Sequence, residues 1–401
     1  MRARYSIEIK SNSTLNDILA LYTLLDRYRE LECDVDLVLP KEIQNKEFGI
    51  IPLLFQFAAT WTRYGYSKAL VLKLSNNNTL KEYYENDITF TLVSFVWTSK
   101  EILDEEGNSI KSILKEFNKK YHNQMRALDK GKDWKIMLSN FDHLPSNRGV
   151  LNFFENEGKF IQDKNQLENN LREVMDSILN FSKEARAQYA RVSSYLMSII
   201  YELMKNTFEW AKSDEKGVPL NPNCRSVYVR FYKRQRAKLI EENTYHSGLQ
   251  NYFRSDSLKE NTKGELFFLE IDVFDTGVGF VKKFSANKKD EKNLTDVDII
   301  KTCFLKHRTS AKGMYSSEKG IGLDQILTLL NQKGYLQIKT DKYFLYRNLI
   351  TQPKELANTT DYIDVKLFDV QSHSEKKIKP SSYAIGTSIT VIYPLNFTEN
   401  D

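Results

Sequence analysis

The sequence predicts an α+β protein: a small α/β unit first and, beyond about residue 166, a mixed sheet with helices on one face. Three observations predict it. Strand-like and helix-like periods alternate through the first hundred residues, two consecutive helical apolar faces run from Leu167 to Leu203, and the order thereafter is helix, strands, helix, loop, helix, strands. At 401 residues the chain is longer than one hydrophobic core usually grows, so more than one domain is expected. Hydrophobic residues at 41%, with only 16 Gly and 8 Pro, exclude a fibrous or disordered chain.

The first unit is placed at residues 1–110. Residues 5–10 read as a strand, and 13–28 as an amphipathic helix, because Leu15, Ile18, Leu19, Tyr22 and Leu25 recur on one face. A second strand at 34–39, a helix at 48–64 and a third strand at 69–74 follow, the last ended by the turn-like Ser75-Asn76-Asn77-Asn78. Residues 89–98 read as another strand, and the basic-rich 111–135 as a helix or an exposed loop, within a polar connector at 111–165. In the last part, 166–401, Leu167, Leu171, Val174, Ile178, Phe181 and Ala185 form one helical face. Val192, Leu196, Ile199 and Leu203 form the next, with a break near 182–187. Strands are expected at 226–232, 266–275, 335–340, 362–369 and 387–393, helices at 296–306 and 320–332, and a loop at 307–319.

Lys and Arg number 58 against 53 Asp and Glu, a net +5 that is mild for a protein that must neutralise many phosphates. The three cysteines, Cys33, Cys224 and Cys303, have no metal-ligand or disulfide-framework spacing. No long apolar run occurs and no signal peptide is read, so a cytoplasmic protein without a membrane partner is expected.

Three short motifs occur in order. Tyr201-Glu202-Leu203-Met204-Lys205-Asn206 sits on a helix, so Glu202 and Asn206 lie one turn apart and point the same way. Asp275-Thr276-Gly277-Val278-Gly279 follows an apolar strand; a carboxylate there can accept from an exocyclic amine, and glycines let backbone approach a flat ligand. Gly320-Ile321-Gly322-Leu323 opens a helix after a basic, serine-rich loop, where exposed N–H groups and the helix dipole suit phosphates. Each motif alone is weak, since Asp and Gly are ordinary turn residues; the ordered set is specific.

In these residues the chain resembles the GHKL superfamily of gyrase, heat-shock chaperone, histidine-kinase and mismatch-repair ATPases, with its Bergerat nucleotide-binding fold. The resemblance covers roughly half the chain and implies ATP and Mg²⁺ as ligands. It makes Asn206 the metal ligand, Glu202 the candidate general base, Asp275 the adenine reader, and Gly277 and Gly279 the close-approach glycines. Lys319, Gly320, Ile321, Gly322 and Leu323 become the phosphate-binding end of a mobile lid. Gly386-Thr387 resembles the family's late strand, whose threonine, here Thr387, supports the aspartate through water. Two departures concern the lid and the spacing: Ser317 stands where many members carry a further glycine, and 235–264 is a long insertion. The 1–110 unit resembles the STAS-type regulatory domains that accompany some members.

Neither His122 nor His143 has the setting of a phosphoacceptor, so a histidine kinase is not expected. In branches where a lysine reaches the γ-phosphate it comes from a following domain; here it is expected from the N-terminal region or another polypeptide. The function implied is a slow ATPase acting as a nucleotide-dependent switch for a protein partner or a second copy of the chain. Two alternatives stand beside it: a protein Ser/Thr kinase of the anti-sigma-factor type, and a nucleic-acid-associated ATPase. The latter would use Arg230, Lys233, Arg234, Arg236 and Lys238, beside Tyr228, Phe231 and Tyr232, though a solvated strand end accounts for that run more simply.

Overall fold

The computed structural model describes residues 2–44, 46–74, 77–86, 88–128, 134–179, 182–244, 246–287, 294–305, 322–355 and 361–396. The N-terminal unit runs β1 (Arg4–Glu8), α1 (Leu15–Glu30), β2 (Asp34–Leu39), α2 (Ile50–Thr62), β3 (Ser67–Leu72), α3 (Asn77–Glu85), α4 (Thr89–Val96) and β4 (Glu101–Leu103). Its strands form a parallel sheet in the order β1-β2-β3-β4, which requires the helical crossovers between them. Helix α1 starts at a reciprocal cap: Thr14 Oγ1 accepts from Asp17 N, and the Asp17 carboxylate accepts from Thr14 N at 2.8 Å. The strand expected at 89–98 is instead helix α4. All eight of its residues are buried, and its Thr, Val and Phe residues favour a strand by local preference, which tertiary burial overrides.

The chain continues through α5 (Lys111–Arg126), β5 (Lys135–Asn140), α6 (Ser146–Gly149), β6 (Glu155–Asn156), β7 (Lys159–Phe160), α7 (Lys164–Leu179) and α8 (Lys183–Trp210). Then come β8 (Arg225–Gln235), α9 (Arg236–Glu242), α10 (Ser247–Phe253), β9 (Glu265–Asp275), α11 (Phe280–Asn287) and α12 (Asp296–Thr302). Helix α13 (Gly322–Leu329) precedes β10 (Tyr335–Asp341), β11 (Tyr343–Asn348), β12 (Phe368–Asp369) and β13 (Ala384–Pro394). Seven strands pair in the order β12-β11-β10-β13-β9-β8-β5.

Every described pairing in this larger sheet is antiparallel, so the mixed sheet expected from the sequence is corrected. The cause is local. Strands β10 and β11 form a tight hairpin that the sequence reading missed, whereas 362–369 holds a 3-10 turn at Tyr362–Asp364 and a strand of only two residues. Strand β5, from the stretch read as a connector, pairs with β8 at the sheet's edge.

Helices cover both faces of the larger sheet, not one. Strand alternation turns Phe274 to one side, where its ring meets Phe55 of α2 at 4.9 Å, and Val273 and Asp275 to the other, beside α8. All thirteen residues of α2 are buried, because it is a middle layer. Trp61 Nε1 donates to Val35 O of β2 at 3.0 Å, and Gln56 Nε2 donates to Lys339 O of β10 at 3.0 Å. Among the described residues no helix is long and apolar enough to cross a membrane.

Candidate functional site

Asp275 is the last residue of β9, and both its neighbours on the chain and its neighbours across the sheet fix its carboxylate. Oδ1 accepts from Gly277 N at 2.8 Å and from Thr387 N at 3.3 Å. Burial pushes its pKa up to about 6, against the opposing pull of those two N–H groups, Arg225 and Arg63. The surrounding glycines are sterically required. A Cβ on Gly277 would lie 3.0 Å from Ala211 Cα, and one on Gly279, at φ +86°, would meet the Asp341 carboxylate at 2.7 Å.

Gly386 is the tightest position. Its φ is +75°, and a Cβ there would stand 1.9 Å from Asp275 O. Gly386→Ala is therefore expected to lower the denaturant midpoint, with a cost of at least about 2 kcal/mol from left-handed strain and backbone overlap together. A midpoint equal to that of the unaltered chain would contradict this packing.

The turn itself is braced from an unexpected direction. Thr276 Oγ1 donates to Asn223 Oδ1 at 2.7 Å, and Asn223 Nδ2 donates to Asp142 Oδ2 at 2.7 Å. Arg225, fully buried, holds Asp142 through Nε and Nη2 at 2.8 and 2.6 Å and also meets Glu155. Sequence reasoning missed Asp142 and Glu155, which lie in the stretch taken for a connector. The available signal was an acidic residue just after an apolar strand pattern, which is too common to single out.

Helix α8 supplies the second wall. Its Ser182 cap accepts from Ala185 N, and three turns of apolar contacts seat it on β8 and β9. Glu202 and Asn206 project from one side of it. Gly322, the first residue of α13, lies against both: a Cβ there would be 3.0 Å from Glu202 Oε2 and 3.3 Å from Asn206 Nδ2. Asn206 Nδ2 is buried and has no hydrogen-bond partner among the described residues. Glu202 Oε1 receives the Lys164 ammonium at 2.7 Å, from the first turn of α7.

These walls enclose a cleft with about 860 Å³ of space, part of it open to solvent. Leu203, Trp210, Val273, Phe280, Phe284 and Ile389 make it largely apolar, while Asn206, Asp275 and Thr387 are convergent polar groups. The structure thus brings Asn206, Asp275, Gly277, Gly279, Gly322, Leu323 and Thr387 to one cleft, with Glu202 directly behind Asn206 and Gly322. Thr387 supports Asp275 through its backbone N–H, while its hydroxyl is 3.0 Å from that of Thr340. Lys283 also lines the cleft, but its ammonium is bound to Ser213 O and Oγ and to Asp214 O. Lys319, Gly320 and Ile321 lie outside the described residues, as does the 307–319 loop.

No family model, curated protein or solved structure matches the chain.

The basic run offers little to a polyanion. Arg230 is buried against Glu270 at 2.6 Å, Lys233 pairs with Glu265 at 3.1 Å, and Arg234 and Arg236 pair with Glu242 and Glu260. Four of its five cations already face a carboxylate of the same chain.

Proposed function

We propose that the seven-stranded half is a Bergerat-type nucleotide domain that binds ATP·Mg²⁺ in this cleft. Slow hydrolysis would make the chain a switch for a protein partner or a second copy of itself. One observation carries the reading: Asp275, Asn206 and Gly322, from three distant stretches, converge on a single largely apolar cleft. The Asp275 carboxylate, with one oxygen committed to two backbone N–H groups, accepts from the exocyclic amine of adenine. Gly277 and Gly279 let the ring lie close to the backbone. The N-terminus of α13 presents its positive dipole end to phosphates.

A magnesium ion would be held through the Asn206 amide oxygen, which lies beside the Glu202 carboxylate where the glycine at 322 lets backbone come close to both. Mg²⁺ would neutralise phosphate charge there. Glu202 orients water and takes its proton. Its pairing with Lys164 supports slow turnover, because the carboxylate must leave an ion pair to act as a base.

Calorimetric titration with a non-hydrolysable ATP analogue and Mg²⁺ tests the reading, and pH sharpens it. The amine donates to an ionised carboxylate, so binding favours the charged form of a group that titrates near pH 6 when free. Affinity is expected to be full at pH 7.5 and about tenfold weaker at pH 5.0. No heat at pH 7.5 would sink the nucleotide assignment, and equal affinity at both values would remove Asp275 as base reader.

A further inference from the structure

Helix α2 belongs by topology to the N-terminal parallel sheet, yet its polar side chains end on the supports of Asp275. Its sequence is almost wholly apolar, and the two exceptions that matter, Gln56 and Thr60, are 0% and 2% exposed. Buried polar groups are normally held against other buried polar groups. The groups they satisfy come from a fault in the larger sheet.

The register between β10 and β13 shifts at Thr340/Asp341: Thr340 faces Thr387, but Asp341 faces Ala384. Ile385 and Gly386 are thus surplus residues on β13, and a bulge leaves backbone groups without ladder partners. Thr60 Oγ1 accepts from Ile385 N at 3.0 Å and donates to Gln56 O at 2.8 Å. Gln56 Nε2 donates to Gly386 O at 3.2 Å. The next residue along the chain is Thr387, whose N–H holds Asp275. One turn further along α2, Arg63 Nη2 donates to Pro222 O at 3.1 Å, next to the Asn223 that holds Thr276. On its opposite side the helix is fastened to β2 by Trp61.

We propose that Gln56 and Thr60 are positioning residues for the base-reading site: they hold the 385–387 bulge so that Thr387 N–H meets the Asp275 carboxylate, coupling the N-terminal sheet to nucleotide binding. This rests on the nucleotide reading above. Neither side chain touches the ligand, so the effect is confined to the base end of the cleft.

The experiment compares the unaltered chain with Thr60→Val, which keeps the shape and loses the hydroxyl, and Thr60→Ser, which keeps the hydroxyl. Affinities for AMP, a non-hydrolysable ATP analogue and its guanine counterpart are measured by calorimetry. The expected result is that Thr60→Val binds AMP and the ATP analogue about tenfold more weakly, by the same factor, with reduced preference for adenine. Thr60→Ser is expected to restore all three. Unchanged AMP affinity in a folded Thr60→Val overturns the proposal, as does a loss confined to the triphosphate, which would place the effect at the phosphate end. If Thr60→Val does not fold, hydrogen exchange on the unaltered chain decides. Nucleotide slows exchange in α2 together with 385–387 if the proposal holds, and at 385–387 without α2 if it fails. Absence of any nucleotide binding by the unaltered chain is a separate failure, of the nucleotide reading itself.

Discussion

Asp275→Asn is expected to weaken binding of an ATP analogue about a hundredfold while leaving the protein at least as stable at pH 7.5. Asparagine has the same shape, and its oxygen can keep the Gly277 and Thr387 N–H groups. Its nitrogen then faces the exocyclic amine, donor against donor. Losing a charged acceptor and stranding two donors costs about 3 kcal/mol, near a hundredfold in affinity. Stability moves the other way. Burial raises the Asp275 pKa from 3.8 to about 6, so the folded state resists ionisation. The aspartate's contribution to stability is full below pH 3.8 and is lost as pH rises through 6, and the neutral amide escapes that loss. A variant that binds like the unaltered chain removes Asp275 from base recognition; one that unfolds is recognised by its denaturation midpoint.

Glu202→Gln is expected to reduce ATP turnover by about a hundredfold or more, with affinity for the analogue changed less than about threefold. Glutamine fills the same volume beside Gly322 and cannot accept a proton. It also ends the pairing with Lys164, whose side chain is 38% exposed, so the stability cost stays within about 1 kcal/mol. Turnover matching that of the unaltered chain would assign water activation elsewhere and leave Glu202 as the structural partner of Lys164.

The motifs that meet in the cleft were legible because their spacing alone fixes local geometry. A four-residue separation puts Glu202 and Asn206 on one side of any helix, and an apolar alternating run ending in Asp275 puts a carboxylate at a strand's end. Gly277 and Gly279 proved to be places where a Cβ would collide, and Gly322 one where it would crowd Glu202 and Asn206, which glycine content by itself cannot reveal. The antiparallel sense of the larger sheet was not legible: the β10–β11 hairpin has no Asn-Gly or Gly-Gly signal, and the other pairings join strands far apart in sequence. Helix α4 was misread because its apolar residues are buried all round. Gln56 and Thr60 could not be singled out, because a polar residue in an apolar helix acquires meaning only when the strand bulge beneath it is known.

The seat of α2 also dictates how the polypeptide must assemble. Its partners in the larger sheet lie far ahead in the sequence: Thr60 is 325 residues from Ile385, and Gln56 is 330 from Gly386. A nascent chain therefore carries a greasy, unroofed segment from residue 50 onward until the strand near residue 390 has been made, and closing so long a loop is slow. Neither half can be excised cleanly, since cutting between them strips cover from the same thirteen side chains.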